Sequence, residues 1–74
     1  MKIGDIRRVH YSSHFNRDPS ANQGVWLLLE HDDEYDDWRF LVIIPDSADE
    51  REIAGQVRHL SKEWIVEFTR AWDE

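Results

Sequence analysis

The fold depends on residues 53–72, IAGQVRHLSKEWIVEFTRAW. One interpretation is an amphipathic helix, because six apolar side chains recur in this part of the chain at spacings of 4, 3, 4, 4 and 3 residues. These side chains are Ile53, Val57, Leu60, Trp64, Phe68 and Ala71. Upstream, Ser47 is followed three residues later by Glu50, and this spacing is typical of the capping box that opens a helix.

The other interpretation divides the same stretch into strands. Gly55 interrupts the helical pattern, and a glycine inside a helix costs about 1 kcal/mol relative to alanine. A strand over 56–60, a helical turn over 61–64 and a last strand over 65–72 would follow. The β-branched and aromatic composition after residue 63 favours this division. The residues alone leave two folds open: mainly β, or α+β with a sheet covered by a C-terminal amphipathic helix.

The preceding part of the chain predicts strands. Val25–Glu30 and Trp38–Ile44 are rich in branched and aromatic residues, and the acidic segment His31–Asp37 between them predicts a hairpin tip. Their nearly continuous apolar character indicates that both faces of the hairpin are partly covered. Ile3–Tyr11 predicts a first strand, and the polar residues 12–24 predict a long connecting loop.

Length and composition limit the class of protein. The chain has 74 residues, which predicts a single domain over residues 1–74, and it has no cysteine for disulfides or thiolate metal sites. Its formal net charge of −7 disfavours direct binding to nucleic-acid phosphates or to an anionic membrane. The apolar runs are too short to span a bilayer, and the N-terminus lacks the apolar stretch of a signal peptide. We therefore expect a cytoplasmic protein.

Two segments resemble a known class of small proteins. Residues 2–9, KIGDIRRV, are similar to the opening strand of SH3-like barrel proteins. Residues 55–65, GQVRHLSKEWI, are similar to their closing section, where a strand runs into one helical turn before the last strand. The resemblance implies a mainly β, SH3-like barrel of about five strands with a short helical turn before the last strand.

The same resemblance bears on function. Such barrels are common among uncharacterised proteins of tailed phages, which implies a phage-encoded protein located in the host cytoplasm or in the virion. Most of them bind peptides, nucleic acids or neighbouring subunits, and no catalytic residue is carried over from them to this chain.

The acidic hairpin tip is the main candidate site, because five carboxylates lie within six positions. The predicted partner-binding residues are Asp32, Asp33, Glu34, Tyr35, Asp36, Asp37 and, near the C-terminus, Trp72. One interpretation is a prong that docks on a basic surface of another protein. A second is a site for a hard cation, although the tip lacks the glycine of an EF-hand loop. A third is a solvated tip that aids solubility and discourages pairing between strand edges.

Catalytic and metal chemistry find little support. His10, His14 and His31 could join nearby carboxylates as zinc ligands, but the segment that holds the first two does not predict a helix that would align them. No serine lies in a Gly-x-Ser-x-Gly context, and the three glycines are isolated, so no phosphate-binding loop is predicted. We therefore expect no metal, no cofactor and no enzymatic activity, with a metal-assisted enzyme as the weakest hypothesis.

Two function hypotheses remain. The first is a protein-interaction or structural module that acts by surface contact with an unknown protein partner bearing a basic surface. The alternative is an acidic inhibitor that mimics nucleic-acid phosphates and occupies the basic groove of a host protein.

Overall fold

The computed structural model describes residues 1–10, 24–46 and 52–73. In this part of the chain, five strands form one antiparallel sheet in the order β4-β3-β2-β1-β5, and a short helix precedes the last strand. The elements are β1 (Ile6–Val9), β2 (Val25–Asp32), β3 (Asp37–Ile44), β4 (Val57–Ser61), α1 (Lys62–Phe68) and β5 (Thr69–Ala71). The mainly β prediction is confirmed, and the layout is compatible with an SH3-like barrel.

The hydrophobic core lies on one face of this sheet. Successive side chains of a strand point to opposite faces, so alternate residues in the first half of β2 and in the middle of β3 enter the core. The core residues are Val9, Trp26, Leu28, Trp38, Phe40, Val42 and Ile65, with Leu60 packed against them. The rings of Trp26 and Phe40 stack with their centroids 4.1 Å apart, which joins β2 and β3 at the centre.

The helix is longer than the predicted turn and much shorter than the alternative C-terminal helix. It extends through Phe68, so residues 65–68, predicted as strand, are helical, and the last strand covers only Thr69–Ala71. Burial explains the difference, because the helical backbone places Ile65 in the core, where it is fully buried. This gain outweighs the β propensity of the segment. The Thr69 hydroxyl and backbone N–H both donate to the Ile65 carbonyl, and there the helix ends.

The first strand begins at Ile6 and not at Ile3 as predicted. A turn precedes it, in which the Lys2 backbone N–H donates to the Asp5 carboxylate at 2.9 Å and the Asp5 N–H donates to the Lys2 carbonyl at 3.1 Å. Gly4 adopts a φ of 91° within this turn, a conformation that glycine reaches without steric cost. The turn therefore takes the place of the first residues of the predicted strand.

The hairpin between β2 and β3 is tighter than predicted. Both strands continue into the segment predicted as the tip, so that only residues 33–36 form the turn. Residues 12–23 of the predicted loop over 12–24, and the predicted capping box at Ser47 and Glu50, lie outside the described residues. No helix in the described part of the chain is long and apolar enough to cross a membrane.

Candidate interaction site at the acidic hairpin

The turn is built from its own acidic side chains. Asp32 Oδ1 accepts a hydrogen bond from the Glu34 backbone N–H at 3.0 Å, an arrangement that stabilises tight turns. Asp36 has a φ of 49°, a left-handed conformation that aspartate tolerates better than most residues. Its carbonyl accepts the Lys62 N–H at 3.0 Å, which ties the turn to the start of α1. The acidic turn is thus fixed to the body of the protein at its base.

His31 braces the turn from inside. Its Nδ1 lies 2.9 Å from Asp33 Oδ1 and its Nε2 lies 2.8 Å from Asp36 Oδ1, so one ring contacts carboxylates on both sides of the turn. The ring also stacks on Trp38, with centroids 4.4 Å apart. Because Trp38 is a core residue, the stack connects the exposed carboxylates to the hydrophobic core. The sequence makes His31 a candidate zinc ligand, whereas in the structure its ring contacts two carboxylates and stacks on Trp38.

The apex of the turn faces solvent. The Asp33 side chain is 96% exposed and Tyr35 is 71% exposed. At the base, Asp37 Oδ2 lies 3.0 Å from His59 Nδ1 on the neighbouring strand β4. The tip therefore presents carboxylates around one exposed aromatic ring, an arrangement suited to contact with a cationic surface.

The structure brings six of the seven predicted partner-binding residues together and separates the seventh. Trp72 follows β5, where its backbone N–H donates to the Ile6 carbonyl at 3.1 Å. Ile6 pairs with Leu27 near the start of β2, whereas Asp32 is the last residue of β2. Trp72 is exposed, but it belongs to a different surface from the acidic tip.

The expectation that the protein binds no metal stays a prediction. Within the described ranges, no group of three or more histidine, aspartate or glutamate side chains has an arrangement that could hold a metal ion. His14 lies outside these ranges. His10 is the residue that follows β1, and its backbone N–H donates to the Phe68 carbonyl.

The structure contains a buried polar cluster that no sequence pattern indicates. The Glu52 side chain is fully buried, and its Oε1 accepts hydrogen bonds from Trp26 Nε1 at 3.0 Å and from the Asp46 N–H at 3.2 Å. Its Oε2 lies 2.9 Å from the Arg58 guanidinium. These contacts hold Asp46 and Glu52, which lie in the β3–β4 connection, against β2. In the sequence, Asp46 and Glu52 flank an acidic stretch and carry no pattern that distinguishes them from exposed loop residues.

Gly24 fits against this cluster because it has no side chain. A Cβ there would lie 2.7 Å from Val9 Cγ2 and 2.9 Å from Asp46 Cβ, and the Gly24 N–H donates to the buried Asp46 carboxylate at 3.3 Å. The close approach of three chain segments therefore requires glycine at the entrance to β2.

In comparisons with known proteins, no family model, no curated protein and no solved structure matches this chain.

Proposed function

We propose that this protein is a non-enzymatic interaction module, and that its acidic hairpin tip docks on a basic surface of a protein partner. The observation that supports the proposal most is the bracing of the tip by His31, which contacts Asp33 and Asp36 while stacking on the core residue Trp38. Carboxylates that served solubility alone would not require a fixed arrangement.

Charge and rigidity both favour such a role. The formal net charge of −7 creates a negative field that raises the rate of encounter with a basic surface. A preformed turn lowers the entropy lost on binding, because Asp32, Asp33 and Asp36 already make fixed contacts within it. Tyr35 at the apex adds an aromatic anchor of the kind enriched at binding hot spots.

Two triple variants separate the position of the carboxylates from their number. The tip variant combines Asp32→Asn, Asp33→Asn and Glu34→Gln. The control variant combines Glu63→Gln, Glu67→Gln and Asp73→Asn, which are exposed positions outside the tip. Each variant loses three carboxylates, so both change the net charge from −7 to −4.

The partner is first captured with the wild-type protein and then purified for measurement of its association rate. We expect the tip variant to associate about tenfold more slowly than wild type, because charges at the edge of an interface act mainly on the association rate. The control variant should keep most of the wild-type rate. Equal slowing in the two variants would refute the proposal, since only the total charge would then matter.

A phosphate mimic is the alternative form of the same proposal, because carboxylates displayed along a hairpin offer the anionic chemistry of a nucleic-acid backbone. Competition by duplex DNA or RNA for the captured partner separates the two forms. A phosphate mimic should be displaced by nucleic acid, whereas a module that docks elsewhere on the partner should stay bound.

A further inference from the structure

The outer face of the sheet carries a continuous apolar row. In an antiparallel sheet, directly paired residues lie side by side on the same face. Val57 pairs with Leu41, Leu41 with Leu27, and Leu27 with Ile6, and the backbone N–H of Trp72 donates to the Ile6 carbonyl. We call these five residues the outer row. It crosses all four pairings of the sheet, on the face opposite the core.

Solvent reaches this row at several points. Val57 is 57% exposed and Trp72 is 54% exposed, and Ile6 is also exposed. The two leucines between them are half-buried. Contiguous exposed apolar surface on a small protein is typical of an interaction site and not of a solvated face.

The charges beside the outer row are balanced. On the hairpin side, Glu30 pairs with Arg39, whose guanidinium lies 3.2 Å from the glutamate carboxylate, and Arg39 pairs with His59. On the other side, Arg8 lies over the Trp72 ring at 5.9 Å from its centroid. Further along the hairpin side, Asp32 pairs with Asp37 on this same face, and on the other side Arg8 pairs with Arg70. Acidic and basic side chains of the face are therefore equal in number, so a strongly basic partner does not fit it. A surface of matching character, apolar with charges of both signs at its edges, fits better.

We propose that the outer row is a self-association surface at which a second copy of this chain docks. A two-fold axis in the plane of the face and perpendicular to the strands places the outer row of one copy on that of the other, with the strands antiparallel. The same operation moves the Arg8 edge of each copy toward the edge of the other that holds Glu30. The charge pattern of the face is thus self-complementary about this axis.

Net charge opposes the association only at long range. Two copies that each carry −7 repel each other, and this repulsion is largely screened beyond about 8 Å at 0.15 M salt. Self-association should consequently strengthen as salt rises from about 0.02 M to about 0.15 M. Docking of the acidic tip on a basic partner should weaken over the same range, so failure of either proposal can be recognised independently of the other.

The test is sedimentation equilibrium of the full chain, with one substitution placed on two different surfaces. Val57→Asp puts a charge in the outer row, and Val66→Asp puts the same charge on α1 at a similarly exposed position, 49% against 57%. We expect a reversible wild-type dimer, a dissociation constant raised at least about tenfold by Val57→Asp, and a change within about twofold for Val66→Asp. Circular dichroism verifies that each variant is folded, and Ile6→Asp replaces Val57→Asp if the latter is not.

Nuclear magnetic resonance spectra of the isotopically labelled wild-type protein identify the residues at the contact. On dilution, amide signals of Leu27 and Leu41 should shift, while that of Glu63 on α1 should not. A wild-type protein that stays monomeric at about 1 mM, a Val57→Asp variant that dimerises like wild type, or shifts confined to the hairpin tip would each overturn the proposal.

Discussion

At the scale of single residues, the two buried tryptophans of the hairpin differ in how their indole N–H groups are satisfied. Trp26 donates to the buried Glu52 carboxylate, whereas the indole nitrogen of Trp38 is buried and has no hydrogen-bond partner among the described residues. A buried polar group without a partner costs about 1–3 kcal/mol. Trp26 therefore contributes a hydrogen bond to the stability of the fold, and Trp38 contributes packing alone.

This difference predicts unequal effects of one substitution at two positions. Both Trp26→Phe and Trp38→Phe remove buried area, but only Trp26→Phe takes a donor away from Glu52, while Trp38→Phe removes a donor that has no acceptor. Trp26→Phe should destabilise the fold by at least about 1 kcal/mol more than Trp38→Phe. Urea denaturation of both variants measures the free energies of unfolding, and equal losses would contradict the assignment.

Site residues were predictable from the sequence where local composition distinguishes them. They were not predictable where their role depends on contacts with residues distant in the chain. The density of carboxylates in 32–37 identified the tip from the sequence. The role of His31 as a brace depends on a ring position set by Trp38 on the opposite strand, which no local pattern encodes. Glu52 is buried through contacts with residues distant in the chain, so its sequence neighbours gave no indication.

At the scale of elements, the sequence predicted the kinds of element better than their ends. The β2–β3 hairpin follows from two apolar runs on either side of an acidic segment. The segment after Gly55 was ambiguous because its apolar spacing fits a helix while its composition fits strands. The outcome combines both, with β4 followed by a seven-residue helix that places Ile65 in the core.

The hairpin brace leads to a prediction for the order of the turn. In the wild type, the Glu34 amide is hydrogen-bonded to Asp32 within the turn. His31→Ala removes the ring that contacts Asp33 and Asp36, so the Glu34 amide should exchange its hydrogen faster in this variant. His59→Ala is the matched control, because His59 contacts Asp37 at the base of the hairpin and not the turn. Equal exchange rates of Glu34 in wild type and in His31→Ala would show that the ring does not brace the turn.

A second prediction at this scale concerns cations. The tip lacks the glycine turn and the ordered ligands of a dedicated calcium site, so added Ca²⁺, Mg²⁺ or Zn²⁺, or a chelator, should leave the melting temperature unchanged. Thermal denaturation with and without each additive is the measurement. A metal-dependent stabilisation above about 3 kcal/mol, which mass action gives at several hundred times the dissociation constant, would establish a site.

At the scale of the whole molecule, the structure separates two surfaces with different physical character. The acidic tip is charged, exposed and braced at one end of the hairpin, whereas the outer row is apolar and crosses the sheet, with acidic and basic side chains beside it. Salt should weaken contacts made by the first and strengthen self-association through the second. The salt dependence of partner binding and that of self-association, each measured in one salt titration, therefore assign each process to one of the two surfaces.

The most direct test of the interaction proposal is the salt dependence of the association rate with the captured partner, measured for wild type, the tip variant and the control variant. Wild type and the control variant should both slow steeply as salt rises, because the tip that steers the encounter is intact in each. The tip variant should associate more slowly at low salt and depend on salt much less. Identical salt slopes for the tip variant and wild type would contradict the claim that the acidic hairpin docks a basic partner.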